Sequence, residues 1–253
     1  MNLTQKVKVE KVFTDFIKSE GGESLDEKFK GTPNVQLNAD YLFSQHNIIA
    51  ELKCLEVDSL NSNSGQERMF RSISKHLQNG NLSKHQIAEL LTENKLPEPA
   101  YRDLCNAVRE TIDTAIKKAN KQIISTKTLL SKPESRGFLF LVNDGNQVLS
   151  PKHMVHIIAN LMESKYMSSS IDGFVYLTVN FPGINEETKE ELLYWVPGYR
   201  IENSDLVDFI NQLGRKWHVF YNHVNSFNIS ESHHVTGEEA LDYLRKIKNI
   251  PNK

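Results

Sequence analysis

Residues 35–53 run Val-Gln-Leu-Asn-Ala-Asp-Tyr-Leu-Phe, Ser-Gln-His-Asn, Ile-Ile-Ala-Glu-Leu-Lys, two apolar strand-like arms joined by a polar tip. Closing this ribbon at Ser44–Asn47 sets Phe43 opposite Ile48, and counting outward sets Asp40 opposite Glu51. Side chains alternate along a strand, so Lys53 falls on the face that carries Glu51. Directly opposed residues of an antiparallel pair stand roughly 4.5–5.5 Å apart at Cβ, where like charges repel. Two carboxylates kept that close call for a cation between them. The ribbon thus predicts a β-hairpin early in the fold and, on it, two acids with an amine beside them.

Glu-x-Lys alone says little, since it occurs four times: Glu51/Lys53, Glu93/Lys95, Glu163/Lys165 and Glu187/Lys189. What singles out the first is its setting in the apolar run Ile48, Ile49, Ala50, Leu52, Cys54, Leu55, where a charge is costly unless paired or used. Glu93 lies in a polar stretch before Pro97, Glu163 follows the helical run Met154–Met162, and Glu187 sits in a Glu/Lys-rich segment. A structural ion pair would account for Glu51 with Lys53 but leaves Asp40 unexplained. Ionisable groups in such a setting favour a functional site.

Composition bounds the function classes. With 253 residues, 39% hydrophobic and 25% charged, the chain can bury a substantial core as one large domain or two small ones. No apolar run is long enough to span a membrane, and the start Met-Asn-Leu-Thr-Gln-Lys-Val-Lys lacks the apolar core of a secretory signal. Cys54 and Cys105 give neither a disulfide framework nor metal-ligand spacing, so a reducing, cytoplasmic setting is expected. The net charge of −2 does not advertise a polyanionic partner. Locally, Lys117, Lys118, Lys121, Lys127, Lys132 and Arg136 face only Glu134, a basic stripe that would suit nucleic acid in one groove. A solvated helix face is the commoner origin of such a run.

The chain order reads helix, hairpin, a long helical region, strand, helix, strand and a further C-terminal part. Val9, Val12, Phe13, Phe16 and Ile17 mark a helix over 5–20, closed by Gly21-Gly22. Residues 57–64 are turn-rich, and helices are expected over 65–78, 83–95 and about 100–125. Continuous apolar runs at Arg136–Asn143 and Ile171–Asn180 have the form of buried strands. Between them, Ser150-Pro151 opens a helix to Met162, with Ser as cap and Pro first in the helix. That unit predicts a parallel, right-handed crossover. Further on, the pattern predicts a helix near 204–214, a strand at Trp217–Asn222 and an amphipathic helix at 237–249, with no internal repeat.

Helix, hairpin with Asp…Glu-x-Lys, then helix, strand, helix, strand resembles the PD-(D/E)XK nuclease superfamily. The match rests on Asp40, Glu51 and Lys53 and covers about residues 5–56 and 115–180; it leaves out a helical insertion at about 60–114 and an α/β extension over 181–253. Ala39, rather than the motif's proline, precedes Asp40. The resemblance implies a single α/β domain with a restriction-endonuclease-like mixed central sheet flanked by helices. It also implies that Asp40, Glu51 and the Leu52 carbonyl hold Mg²⁺ or Mn²⁺, and that Lys53 activates water or stabilises the phosphorane. Glu20 or Glu10 would be the further acid that members draw from the first helix. Lys118, Lys121 and Gln122 would contact phosphates of a nucleic-acid substrate, expected to be DNA. A homodimer is the form that would cut both strands, and no membrane partner is implied.

Other chemistries lack their residues. His153 and His156, three apart, and the adjacent His233-His234 have no acid or cysteine to complete a zinc set. Neither phosphate-cradling glycine motif is present, nor a Gly-x-Ser-x-Gly elbow. Tyr194, Trp195 and Tyr199 around Pro197-Gly198 could stack on bases, although such clusters are more often core. The rival to a nuclease is an inert nuclease-like domain that binds nucleic acid, or a protein-interaction module contacting partners through 65–125.

Overall fold

A computed structural model describes residues 8–32, 38–55, 63–93, 97–145, 149–180, 183–200, 203–225, 235 and 237–249. The apolar stripe of the first segment forms helix α1 (Val9–Ser19), which stops where Gly21 takes a φ of 79°. A two-residue strand β1 (Glu23–Ser24) and a helical turn α2 (Leu25–Lys28) lead to the hairpin. Its arms are β2 (Tyr41–Phe43) and β3 (Ile48–Leu55), joined by a 3₁₀ turn at Ser44–His46 and by Asn47 in the left-handed region. The first arm is shorter than the apolar pattern predicts. Asp40 stands just before β2 rather than within it, and Val35–Gln36-Leu37 lie outside the described residues.

Helices α3 (Asn63–Gln78), α4 (Lys84–Glu93) and α5 (Glu98–Leu129) follow. The turn-rich segment expected at 57–64 lies almost wholly outside the described residues, and α3 already begins at Asn63. α5 runs unbroken from the expected insertion into the core. Then come β4 (Arg136–Asn143), α6 (Pro151–Ser164) and β5 (Gly173–Thr178). The Ser150 hydroxyl accepts the His153 N–H, the cap that its sequence implies.

A six-stranded mixed sheet orders these strands β1-β2-β3-β4-β5 and ends on β8 (Trp195–Tyr199). β3, β4 and β5 are parallel, while β1, β2 and β8 pair antiparallel at the two margins. Pro197, which has no N–H to give, is tolerated because β8 is an edge strand. β6 (Gly183–Asn185), β7 (Glu191–Leu192) and β9 (Ile247–Asn249) form a second, small sheet.

Two departures concern the last third. The strand expected at Trp217–Asn222 is instead part of helix α7 (Ser204–Asn225). Leu206, Ile210, Leu213, Trp217 and Tyr221 recur every three or four residues and enter the core as one stripe, which overrides the β preference of the aromatic run. The helix expected over 237–249 ends early, as α8 (Gly237–Arg245), and its last part is β9, paired with β6.

Each sheet face has its own core. On one side α1 and α7 cover Tyr41, Ile48, Ala50, Leu52, Phe138 and Phe140; the Phe13 ring lies 5.1 Å from both Phe140 and Trp217. On the other, α5 and α6 cover Leu42, Ile49, Leu55, Leu139 and Leu141. Odd-numbered residues of β3 therefore face α5. Among the described residues, no helix is long and apolar enough to cross a membrane.

Candidate active site

β3 outruns its hairpin partner. Phe43 pairs with Ile48, Leu42 with Ile49 and Tyr41 with Ala50, so the same register sets Asp40 opposite Glu51. Beyond Tyr41, among the described residues, no strand pairs with β3 on its β2 side. There, Asp40 Oδ2 accepts the Leu52 N–H at 2.7 Å. Because N–H and C=O of a strand residue point to the same side, the Leu52 carbonyl lies along that margin too.

Glu51 and Lys53 follow Ile49 on the face covered by α5, and the Lys53 ammonium donates to Glu51 Oε1. It also donates to Gln122 Oε1 of α5 at 2.9 Å. The Glu51 side chain is 1% exposed and that of Lys53 is 22% exposed, so the carboxyl is sealed from solvent and the lysine only partly so. Glu51 Oε2 is buried with no hydrogen-bond partner.

Electrostatics record the crowding. Burial pushes the Glu51 carboxyl up to about 8, the Asp40 charge adds to this, and Lys53 opposes it. Burial likewise pushes Asp40 up to about 6, against the Leu52 N–H and Lys53, with the Asp26 charge pushing the same way as burial. Burial thus opposes ionisation of both acids, and the Asp40 charge opposes that of Glu51 further, a state that added positive charge would relieve.

The donor set fits a hard divalent ion. Asp40, Glu51 and the Leu52 carbonyl offer only oxygen, as Mg²⁺ and Mn²⁺ prefer, and the buried Glu51 Oε2 has no partner beyond a proton shared with the adjacent Asp40 carboxyl. Among the described residues, no group of three or more His, Cys, Asp or Glu side chains gathers to hold a metal. The protein ligands of such an ion would be two carboxylates and a main-chain oxygen.

The helix-1 acids are not brought to this cluster. Glu20, at the end of α1, pairs with Lys216 of α7 at 2.5 Å, and Glu10 is exposed in the first turn of α1. α1 packs on the opposite sheet face from Glu51 and Lys53. Lys118 and Lys121 are exposed on α5, within one turn of Gln122, where phosphates flanking the site could reach them. Gln122 differs from both: its carboxamide is engaged at each end, by Lys53 and by the Asn38 carbonyl, to which Nε2 donates at 3.0 Å.

Asn38, Thr126 and Asp26 escape a sequence reading. Thr126 Oγ1 accepts the buried Ala39 N–H at 2.7 Å, and Asn38 Nδ2 donates to Asp26 Oδ1 at 2.9 Å. For Thr126 a signal exists, a hydroxyl continuing the buried stripe Ile112, Ile116, Ala119, Ile123. Asn38 and Asp26 carry none, since their contacts depend on the folded path of the chain. Of the histidines, His153 Nδ1 lies 3.0 Å from the Ser150 hydroxyl and 3.3 Å from that of Tyr101, as part of the α6 cap; His156 is exposed, and His233-His234 lie outside the described residues.

Compared with family models, curated proteins and solved structures, the chain matches none.

Proposed function

We propose that this protein is a metal-dependent nuclease of the restriction-endonuclease-like type, hydrolysing DNA phosphodiester bonds at Asp40, Glu51 and Lys53. The observation that carries the reading is the buried Glu51 carboxyl held beside Asp40 where β3 outruns β2, with an ammonium at its side. A purely structural ion pair would not need the second acid, and two adjacent acids whose ionisation burial opposes are a cost that a fold seldom keeps without use.

Asp40, Glu51 and the Leu52 carbonyl would hold the ion. Bound there, Mg²⁺ or Mn²⁺ supplies the positive charge that eases proton loss from water and offsets the phosphodiester's own charge. Lys53, a donor only, presents its ammonium where negative charge grows on the phosphoryl oxygens as the P–O ester bond breaks. Asp40 is fixed in direction by the Leu52 N–H on Oδ2, which holds its carboxyl beside that of Glu51. Lys118 and Lys121 would bind neighbouring phosphates along the solvent face of α5, a contact insensitive to base sequence.

Incubation of the protein with supercoiled plasmid tests the reading. Cutting with Mg²⁺, none with EDTA, and loss of cutting in Asp40→Asn and Lys53→Met is the expected pattern. Binding of DNA that steepens with falling salt, without cutting under any divalent ion, would replace it with an inert nucleic-acid-binding domain. Absence of both activities would leave a protein-interaction module.

A further inference from the structure

We propose that Gln122 is a positioning residue for Lys53, holding the ammonium against Glu51 and tying it to the main chain just before Asp40. Its catalytic consequence rests on the nuclease reading; the positioning itself does not. A lysine at a partly open site has a long flexible stem and considerable rotamer freedom to lose. Here two acceptors from different elements restrain it, Glu51 on its own strand and Gln122 on α5.

The polarity of the contacts selects the carboxamide. An ammonium can only donate and a carbonyl can only accept, so the side chain between Lys53 and Asn38 must present an acceptor at one end and a donor at the other. Glutamine does both without adding charge. Glutamate would keep the acceptor but lose the donor, and methionine would keep neither while filling similar space.

The grip extends to the acid. Gln122 and Thr126 are one helical turn apart, and they bind consecutive residues, the Asn38 carbonyl and the Ala39 N–H. Asp40 is the next residue. A single helix face therefore sets both the amine and the chain that presents the carboxylate. Gln122 Nε2 spends one of its two N–H groups on Asn38, so a phosphate contact would have to use the other.

Side-chain ¹⁵N–¹H spectra of lysine in the metal-free 253-residue chain, and steady-state cleavage of DNA with Mg²⁺, test the assignment in Gln122→Met and Gln122→Glu. The Lys53 ammonium should give a resonance protected from exchange in the parent protein, lost in Gln122→Met and retained in Gln122→Glu. In Gln122→Met, kcat should fall roughly ten- to a hundredfold with KM within about twofold, the scale expected of a misplaced catalytic group. An unchanged Lys53 resonance in Gln122→Met would overturn the proposal. A rise in KM at constant kcat would also overturn it, in favour of a phosphate contact. Should the parent protein cut no DNA, the nuclease reading fails while the lysine spectra still decide whether Gln122 holds the amine.

Discussion

Replacing Glu51 with glutamine should stabilise the metal-free protein near neutral pH while removing its response to divalent ions. The native fold keeps a proton on Glu51 up to about pH 8, whereas the unfolded chain releases it near its ordinary value of 4.5. Between those values folding takes up a proton, so this group's contribution to stability falls as pH rises. At about 1.4 kcal/mol per unit, the interval from 4.5 to neutrality amounts to roughly 3 kcal/mol. Glutamine has the same shape, keeps an acceptor for Lys53 and cannot ionise, so it avoids that cost. For a chain of this size, roughly 3 kcal/mol corresponds to a Tm rise of roughly 6–12 °C. Urea or thermal unfolding in EDTA at pH 7 and at pH 4.5 measures it: a large gain at the first and little change at the second. Added Mg²⁺ should raise the Tm of the parent protein and leave that of Glu51→Gln unmoved. A variant less stable than its parent at pH 7, or equally shifted at both pH values, would refute the reasoning.

Three more outcomes are expected. Thr126→Val leaves the buried Ala39 N–H without an acceptor and should cost roughly 1–3 kcal/mol in urea unfolding, with weaker divalent-ion binding because Asp40 follows directly. Lys118→Glu with Lys121→Glu should raise KM for DNA and flatten its salt dependence, with stability within about 0.5 kcal/mol, since both side chains are exposed. Trp217→Ala opens the core between α1, α7 and the sheet and should cost roughly 3–5 kcal/mol by thermal unfolding.

What the sequence revealed follows from which forces are local. β4 and the α6 cap were legible because a continuous apolar run and a Ser-Pro start carry their own instructions. The hairpin register was legible because a short polar tip fixes the count, and Asp40, Glu51 and Lys53 meet as that count requires. The aromatic stretch within α7 misleads because Trp217 and Tyr221 suit a strand by propensity, while their burial beside Phe13 and Asn180 is a tertiary decision. Likewise β9 exists only because β6 offers it a partner. Gln122 could be named from its place on a helix after the hairpin, but its role could not. That role depends on Asn38, which lies 84 residues away in the chain.

A structure of crystals soaked in Mn²⁺, with anomalous scattering recorded, tests the central claim most directly. The claim predicts a peak between Asp40 and Glu51, within roughly 2–2.5 Å of their carboxylate oxygens and beside the Leu52 carbonyl. Both acids engaged only by Lys53 and the Leu52 N–H at saturating Mn²⁺, with no peak between them, would contradict it.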